Sequence, residues 1–208
     1  MVPLIPITAV VLAAGNSSRM GDFKPLLPIQ GIPMLELVLR NVLSFPFENV
    51  MAIIGHNENK IKDAIHISDQ RFKWVSNIHF NQGLSSSIKT AVQRCNVETC
   101  GLIVFLGDQP LLKKSTIQQI IQTILKTNVN QSKYILQPTY NSVPGHPVYI
   151  SSQLFPYVGE ITGDQGAKAI FKFADQHFQI PIADEGTILD ADTYEDYQDI
   201  IQKIKKSF

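Results

Sequence analysis

Two short loops hold the residue types that phosphate groups and a hard metal ion require. The first is Ala13-Ala14-Gly15-Asn16-Ser17-Ser18-Arg19, with Lys24 just beyond it. A glycine-bearing loop lets backbone amides come close to phosphate oxygens, and an arginine and a lysine add charge-assisted donors. An ordinary loop with two solvated cations has the same composition. Neither the P-loop pattern GxxxxGK[ST] nor the dinucleotide fingerprint GxGxxG is present. The second loop is Gly107-Asp108-Gln109-Pro110. Its carboxylate follows an apolar run, where an unpaired charge is costly unless something positive meets it. Magnesium is commonly held by one or two carboxylates together with substrate phosphates, which makes Asp108 a candidate ligand. The alternative is a turn residue, since Gly-Asp-x-Pro also suits a turn.

Asp190 is the candidate second ligand, in Leu189-Asp190-Ala191-Asp192-Thr193-Tyr194-Glu195. Asp192 with Glu195 three residues later has capping-box spacing, which explains Asp192 structurally and leaves Asp190 without such an explanation. Ser85, Ser86 and Ser87 open a helical pattern. They serve as a cap, as a ligand site at a free helix N-terminus, or as both. His146 lies in a loop, Gly145-His146-Pro147, and Gly163-Asp164-Gln165-Gly166 precedes another helical pattern.

The elements that must carry these loops are legible from their periodicity. Residues 7–13, ITAVVLA, and 101–106, GLIVFL, are continuous apolar runs of the kind found in strands buried on both faces. The two candidate loops follow these two runs directly. Leu35, Val38, Leu39 and Val42 fall on one helical face, as do Ile88, Ala91, Val92 and Cys95, and again Ile117, Ile120, Ile121 and Ile124. Residues 49–55 and 73–80 read as strands, and 58–67 as a helix. The alternation predicts an α/β fold of three layers, a mostly parallel sheet with helices on both faces. In such a sheet ligands bind beyond the carboxyl ends of the strands, where both loops stand. The second half breaks the rhythm. YILQPTY, PVYI and FQIPI read as strands without long helices between all of them, which predicts an added or antiparallel strand layer near one sheet edge in the C-terminal half. A helix is expected through Ala167, Ile170, Phe171 and Ala174, and a last one through Tyr197, Ile200, Ile201 and Ile204. No linker or repeat divides residues 1–208, so a single domain is expected.

Composition narrows the partners. The 208 residues are 44% hydrophobic and 17% charged, with 18 basic and 18 acidic side chains. This balance offers no general attraction to nucleic acid or to an acidic membrane. No apolar run reaches the roughly 20 residues of a membrane span. The short apolar start lacks a basic n-region and contains two prolines, unlike a signal peptide. Cys95 and Cys100 have neither redox-motif nor zinc spacing and read as free thiols of a cytoplasmic protein.

Taken together, these segments resemble a known family. Residues 10–39, VVLAAGNSSRMGDFKPLLPIQGIPMLELVL, resemble the N-terminal signature of nucleotidyltransferases related to nucleotide-sugar pyrophosphorylases. NIHFNQGLSSSIKTAV, FLGDQPLL, GHPVYI, GDQGA and LDADTYEDY narrow the resemblance to the molybdenum cofactor cytidylyltransferase family, in order along nearly the whole chain. The resemblance implies a Rossmann-like nucleotidyltransferase fold. It also implies a reaction: the terminal phosphate of the molybdenum-bearing pterin attacks the α-phosphate of CTP, and pyrophosphate leaves. Leu12, Ala13, Ala14 and Gly15 would bind nucleotide. Arg19 and Lys24 would bind its phosphates and act in catalysis with Asp108. Asn77 and the segment from Gly83 to Ser87, with Ser85 and Ser86 in it, would sit at the nucleoside. Asp108 and Asp190 would hold magnesium, with manganese as the alternative ion. Ala14 points to CTP, since the relative that uses GTP tends to carry glycine there. Tyr194 departs from the family, which often has proline at that helix start.

The acceptor residues rest on a different argument. His146 and the loop of Gly163, Asp164 and Gln165 follow the point where the alternation breaks, and a pterin offers polar edge atoms and a phosphate to them. They are expected on the acceptor side of the cleft, away from the base. Implied partners are CTP, the molybdenum-pterin cofactor, and a molybdenum hydroxylase or its chaperone. Two other readings stand beside this one. The first is a nucleotidyltransferase using GTP, or a sugar or polyol phosphate as acceptor. The second is a carrier that delivers the cofactor to a hydroxylase without catalysis, which would have no need of Arg19, Lys24, Asp108 and Asp190 together.

Overall fold

The computed structural model describes residues 4–15, 23–96, 98–127 and 132–206, of which 165–167 and 206 by backbone alone. In chain order the strands are β1 (Ile5–Ala13), β2 (Pro28–Ile29), β3 (Ile32–Pro33), β4 (Phe47–Ile54), β5 (Phe72–Ser76), β6 (Gly101–Leu106), β7 (Tyr134–Tyr140), β8 (Val143–Pro144), β9 (Val148–Ser151) and β10 (Gln176–Pro181). The α-helices are α1 (Met34–Leu43), α2 (Glu58–Ala64), α3 (Leu84–Gln93), α4 (Lys114–Lys126) and α5 (Tyr194–Lys206).

One sheet carries the molecule, in the order β10-β7-β9-β6-β1-β4-β5, with β8 paired to β7. β1 lies between β4 and β6, parallel to both, and β5 continues the parallel set on β4. The alternation of β1 explains its place. Ile7, Ala9 and Val11 pack with Leu35, Val38 and Leu39 of α1 and Ile117 and Ile120 of α4. Val10 and Leu12 pack with Ile88 and Ala91 of α3 and with Leu154, Val158 and Ile170. Both faces are therefore covered, which is why β1 and β6 read as unbroken apolar runs.

Two expectations take their final form in the C-terminal half. The strands there are an antiparallel addition toward one sheet edge and not a separate layer. β9 pairs antiparallel with β6 and with β7, and β10 pairs parallel with β7, so they extend the same sheet. Periodicity shows that a strand is half or fully buried but not which edge it joins. The helix expected after Gly166 is a 3-10 helix, Gly163–Phe173, preceded by another at Ser152–Glu160. The strand read over 73–80 stops at Ser76: the Asn77 amide makes the last ladder bond, to the Ile54 carbonyl at 2.7 Å, and the chain then turns as the Asn77 side chain accepts from the His79 amide at 2.9 Å.

The last helix forms its own small core. Tyr197 and Ile200 of α5 pack with Ile29, Met34 and Ala191. The Tyr197 hydroxyl donates to the Pro28 carbonyl at 2.6 Å, tying α5 to the β2–β3 hairpin. Among the described residues no helix is long and apolar enough to cross a membrane.

Candidate functional site

Register brings the two candidate loops together. Leu12 is level with Ile53 on one side and Leu106 on the other, and the Gly107 amide donates to the Leu12 carbonyl at 2.9 Å. A Cβ on Gly107 would stand 3.0 Å from both that carbonyl oxygen and Leu35 Cδ1, so glycine permits the close approach. Both chains then leave the sheet at one level and open a cleft of about 530 Å³. Leu12, Ala13, Ala14 and Gly15 line one wall. Gly107 and Asp108 line the floor beside Lys24, and Phe80, Gly83, Leu84 and Ser87 line the other side.

The charged centre is a lysine held by two carboxylates. Lys24 stands at the first position of a 3-10 turn, Lys24–Leu26, and donates to Asp108 Oδ2 at 2.8 Å and to Asp192 Oδ1 at 3.0 Å. Burial works to lower the pKa of the ammonium, but the Asp108 and Asp192 carboxylates outweigh it and the net direction is up. The segment carrying Asp190 and Asp192 is fixed by backbone, because the Ala191 amide donates to the Asp108 carbonyl at 3.2 Å. Asp190 is partly buried beside them. Burial first, and then the negative charges of Asp108 and Asp192, push its carboxyl up.

Asp192 is therefore not the cap that its spacing suggested. The reciprocal pair at the start of α5 is Thr193 with Asp196: the Thr193 amide donates to Asp196 Oδ2 at 2.8 Å, and the Asp196 amide to Thr193 Oγ1 at 3.1 Å. The motif sits one residue later than Asp192 and Glu195, which frees Asp192 for Lys24. Asp192 lines the cleft, whereas Asp190 is felt through its charge and is not part of the lining.

This donor set suits a divalent ion of the magnesium type. The carboxylates of Asp108, Asp190 and Asp192 share the charge of Lys24, which leaves the cluster short of positive charge. Among the described residues no three His, Cys, Asp or Glu side chains converge on one metal position. Magnesium does not need such a cage, since one or two carboxylates with phosphates and water complete its shell.

The other expected residues divide. Asn77 is buried behind the α3 N-terminus rather than facing the cleft. Its amide nitrogen donates to Ser86 Oγ at 2.8 Å and Ser87 Oγ at 3.0 Å, and its oxygen accepts from the His79 amide at 2.9 Å. Ser85 and Ser86 are buried in that same turn, and Ser87 is the serine that reaches the cleft. Gly83 has φ 89° and ψ 178°, a conformation open essentially to glycine alone. A Cβ there would lie 2.5 Å from Asp164 Oδ1 and 2.7 Å from the Gly163 carbonyl oxygen. Asp164 thus lines the same cleft as Gly15 and rests against Gly83.

His146 donates its backbone amide to the Thr187 carbonyl at 2.8 Å. Burial pushes its imidazole down to about 4, against the nearby charge of Asp108, so it is neutral at physiological pH. It does not line the cleft. Arg19 and the side chain of Gln165 lie outside the described residues. Phe80 and Asp192 line the cleft and were not among the expected residues. Apolar cleft walls resemble core positions in a sequence, and Asp192 was hidden by its proximity to a cap.

A mostly parallel α/β sheet with a cleft beyond its strand ends has the architecture of a nucleotide-binding domain. A family model, the MobA-like NTP transferase domain, matches residues 9–180, and the chain belongs to that family. The chain is 27% identical to the molybdenum cofactor cytidylyltransferase of Escherichia coli K12, over 92% of this chain and 93% of that protein. It is 26% identical to the purine catabolism protein PucB of Bacillus subtilis 168, over 92% and 94%. A solved structure of a Mycobacterium tuberculosis rv0371c homolog, from mycobacterium sp. strain JC1, superposes with a TM-score of 0.82. It is 25% identical and covers 99% of this chain and all of its own.

Proposed function

We propose that this chain transfers the cytidylyl group of CTP to the terminal phosphate of a molybdenum-pterin cofactor. The acceptor phosphate oxygen bonds to the α-phosphorus, the bond from that phosphorus to the bridging oxygen breaks, and pyrophosphate leaves. The observation that carries the transferase reading is the placing of Lys24, Asp108 and Asp192 on the cleft beside the 12–15 loop. The cytidylyl and cofactor parts rest on the relative from Escherichia coli and on Ala14 in the cleft wall.

Transfer of this kind asks a protein for positioning and charge more than for covalent chemistry. The amides of the 12–15 loop cradle phosphate oxygens, and Lys24 with Arg19 opposes charge gathering during transfer. Asp108 and Asp192, with Asp190 behind them, would hold magnesium or manganese, which supplies neutralisation of the triphosphate and polarisation of its oxygens. Asp164, Gly163 and Gln165 are proposed acceptor contacts, with His146 as a neutral group near Asp108. A cofactor carrier has no use for a cation clamped between carboxylates on a nucleotide cleft.

The test is pyrophosphate release with each of the four nucleoside triphosphates and molybdenum-pterin cofactor as acceptor. CTP is expected to give the highest kcat/KM. Equal or better turnover with GTP moves the assignment to guanylyl transfer. Turnover only with a sugar or polyol phosphate changes the acceptor, and none with any acceptor favours the carrier.

A further inference from the structure

Lys24 and a divalent ion need the same oxygens. The ammonium stands 2.8 Å from Asp108 Oδ2 and 3.0 Å from Asp192 Oδ1, and its side chain is only 14% exposed. Lys24, Asp108 and Asp192 all line the cleft, and a magnesium-type ion would take carboxylate oxygens at about 2.0–2.1 Å. An ion that arrives alone meets carboxylates already satisfied by a cation, and it must drive that cation out of a partly buried position. An ion that arrives on a triphosphate brings phosphate oxygens with it. Lys24 then has new acceptors within reach of the same wall, because the 12–15 loop lines the cleft beside it.

We propose that Lys24 is a selectivity element that keeps free divalent ions off Asp108 and Asp192, and yields these carboxylates only to an ion bound to a triphosphate. The inference rests on the metal-triphosphate reading of this cleft. Its consequence is that nucleotide and ion bind cooperatively, and that this coupling passes through one side chain. Because coupling is reciprocal, each ligand tightens the other by the same factor. A lysine that served only to grip phosphate would predict a different result: its removal would weaken nucleotide binding and leave free-ion affinity unchanged or lower.

The experiment is equilibrium dialysis of the full chain against Mn²⁺ alone, and against Mn²⁺ with a fixed excess of CTP. Wild type, Lys24→Met and Lys24→Arg are compared, each with and without Asp108→Asn. Wild type is expected to bind free Mn²⁺ weakly and to gain strongly from CTP. Lys24→Met is expected to bind free Mn²⁺ on the order of tenfold more tightly and to gain little from CTP. Lys24→Arg should follow wild type, and Asp108→Asn should abolish the tighter binding of free Mn²⁺ in Lys24→Met. Lys24→Gln replaces Lys24→Met if the latter loses its cooperative melt. If Lys24→Met binds free Mn²⁺ no better than wild type, while CTP still recruits the ion to wild type through Asp108, the inference is overturned and the site reading stands. If CTP recruits no Asp108-dependent Mn²⁺ to wild type, the site reading fails and takes the inference with it.

Discussion

Asp108 and Asp192 show how one atom pair changes the meaning of a residue. Asp108 follows the most buried part of β6 and meets Lys24 at 2.8 Å, and Asp192 meets the same ammonium at 3.0 Å. Asp108→Asn is expected to lower turnover by about 100-fold or more, since it weakens both the ion and the lysine that place the triphosphate. Asp192→Asn should fall in the same direction with an unchanged melting temperature. Thr193→Ala should do the reverse, costing about 1 kcal/mol of stability through the lost cap and leaving turnover near normal. Pyrophosphate release and urea titration on the three variants separate these roles. An Asp192→Asn enzyme with full activity would return Asp192 to the helix start. Gly83 is constrained twice, by its backbone angles and by Asp164 beside it. Gly83→Ala is expected to cost about 2–3 kcal/mol and to weaken CTP binding, as the 163–164 loop is pushed from the α3 N-terminus. Calorimetry with CTP and magnesium measures the second effect, and unaltered affinity would remove Gly83 from the nucleotide wall.

At the scale of elements, the site depends on struts that touch no ligand position. Asp184 is buried and holds three groups: it accepts from the Lys113 amide at 2.9 Å, Thr116 Oγ1 at 2.6 Å and the Gly186 amide at 3.0 Å. Lys113, the residue before α4, makes no capping bond with its own side chain. Asp184 ties that helix start down from a distant turn, and the same turn leads to Asp190 and Asp192. Asp184→Ala is expected to cost about 3 kcal/mol, because buried donors are left unpaired. It should also lower turnover, by loosening the segment that carries Asp192. A denaturant midpoint shifted by less than the equivalent of about 1 kcal/mol would show that solvent replaces those bonds. Asn77 is a second strut, spending its amide on Ser86, Ser87 and His79 to set the first turn of α3.

Over the whole molecule, the far end of the sheet sets how the fold responds to alkali. Burial pushes the Cys95 thiol up to about 11, and burial also raises the phenols of Tyr134 and Tyr149. The Tyr149 hydroxyl donates to the Cys100 carbonyl at 2.9 Å, which its ionised form cannot do. A group whose folded pKa lies above its unfolded value contributes stability that is complete below the unfolded pKa and lost as pH rises. For Cys95 that window opens near 9 and closes near 11. Urea midpoints should therefore stay level up to about pH 8 and fall between about pH 9 and 11. Cys95→Ala and Tyr149→Phe should each flatten the fall. Midpoints that do not change across this range would contradict the burial argument.

The sequence by itself determined the alternation of strand and helix, the two apolar runs that became β1 and β6, and the loops that follow them. These are local matters: periodicity reports burial, and Gly107 with Asp108 directly after an apolar strand reports an edge where ligands bind. The tertiary structure alone decided three things. It inserted β9 between β6 and β7 instead of stacking a further layer, since strand pairing joins residues far apart in the chain. It gave Asp192 to Lys24, 168 positions away, where spacing had assigned it to a cap. It also brought Asp164 against Gly83, so that one wall of the cleft is built from two distant segments. Each of these is a contact between side chains or strands that share no local pattern, and only packing the sheet brings such partners within reach.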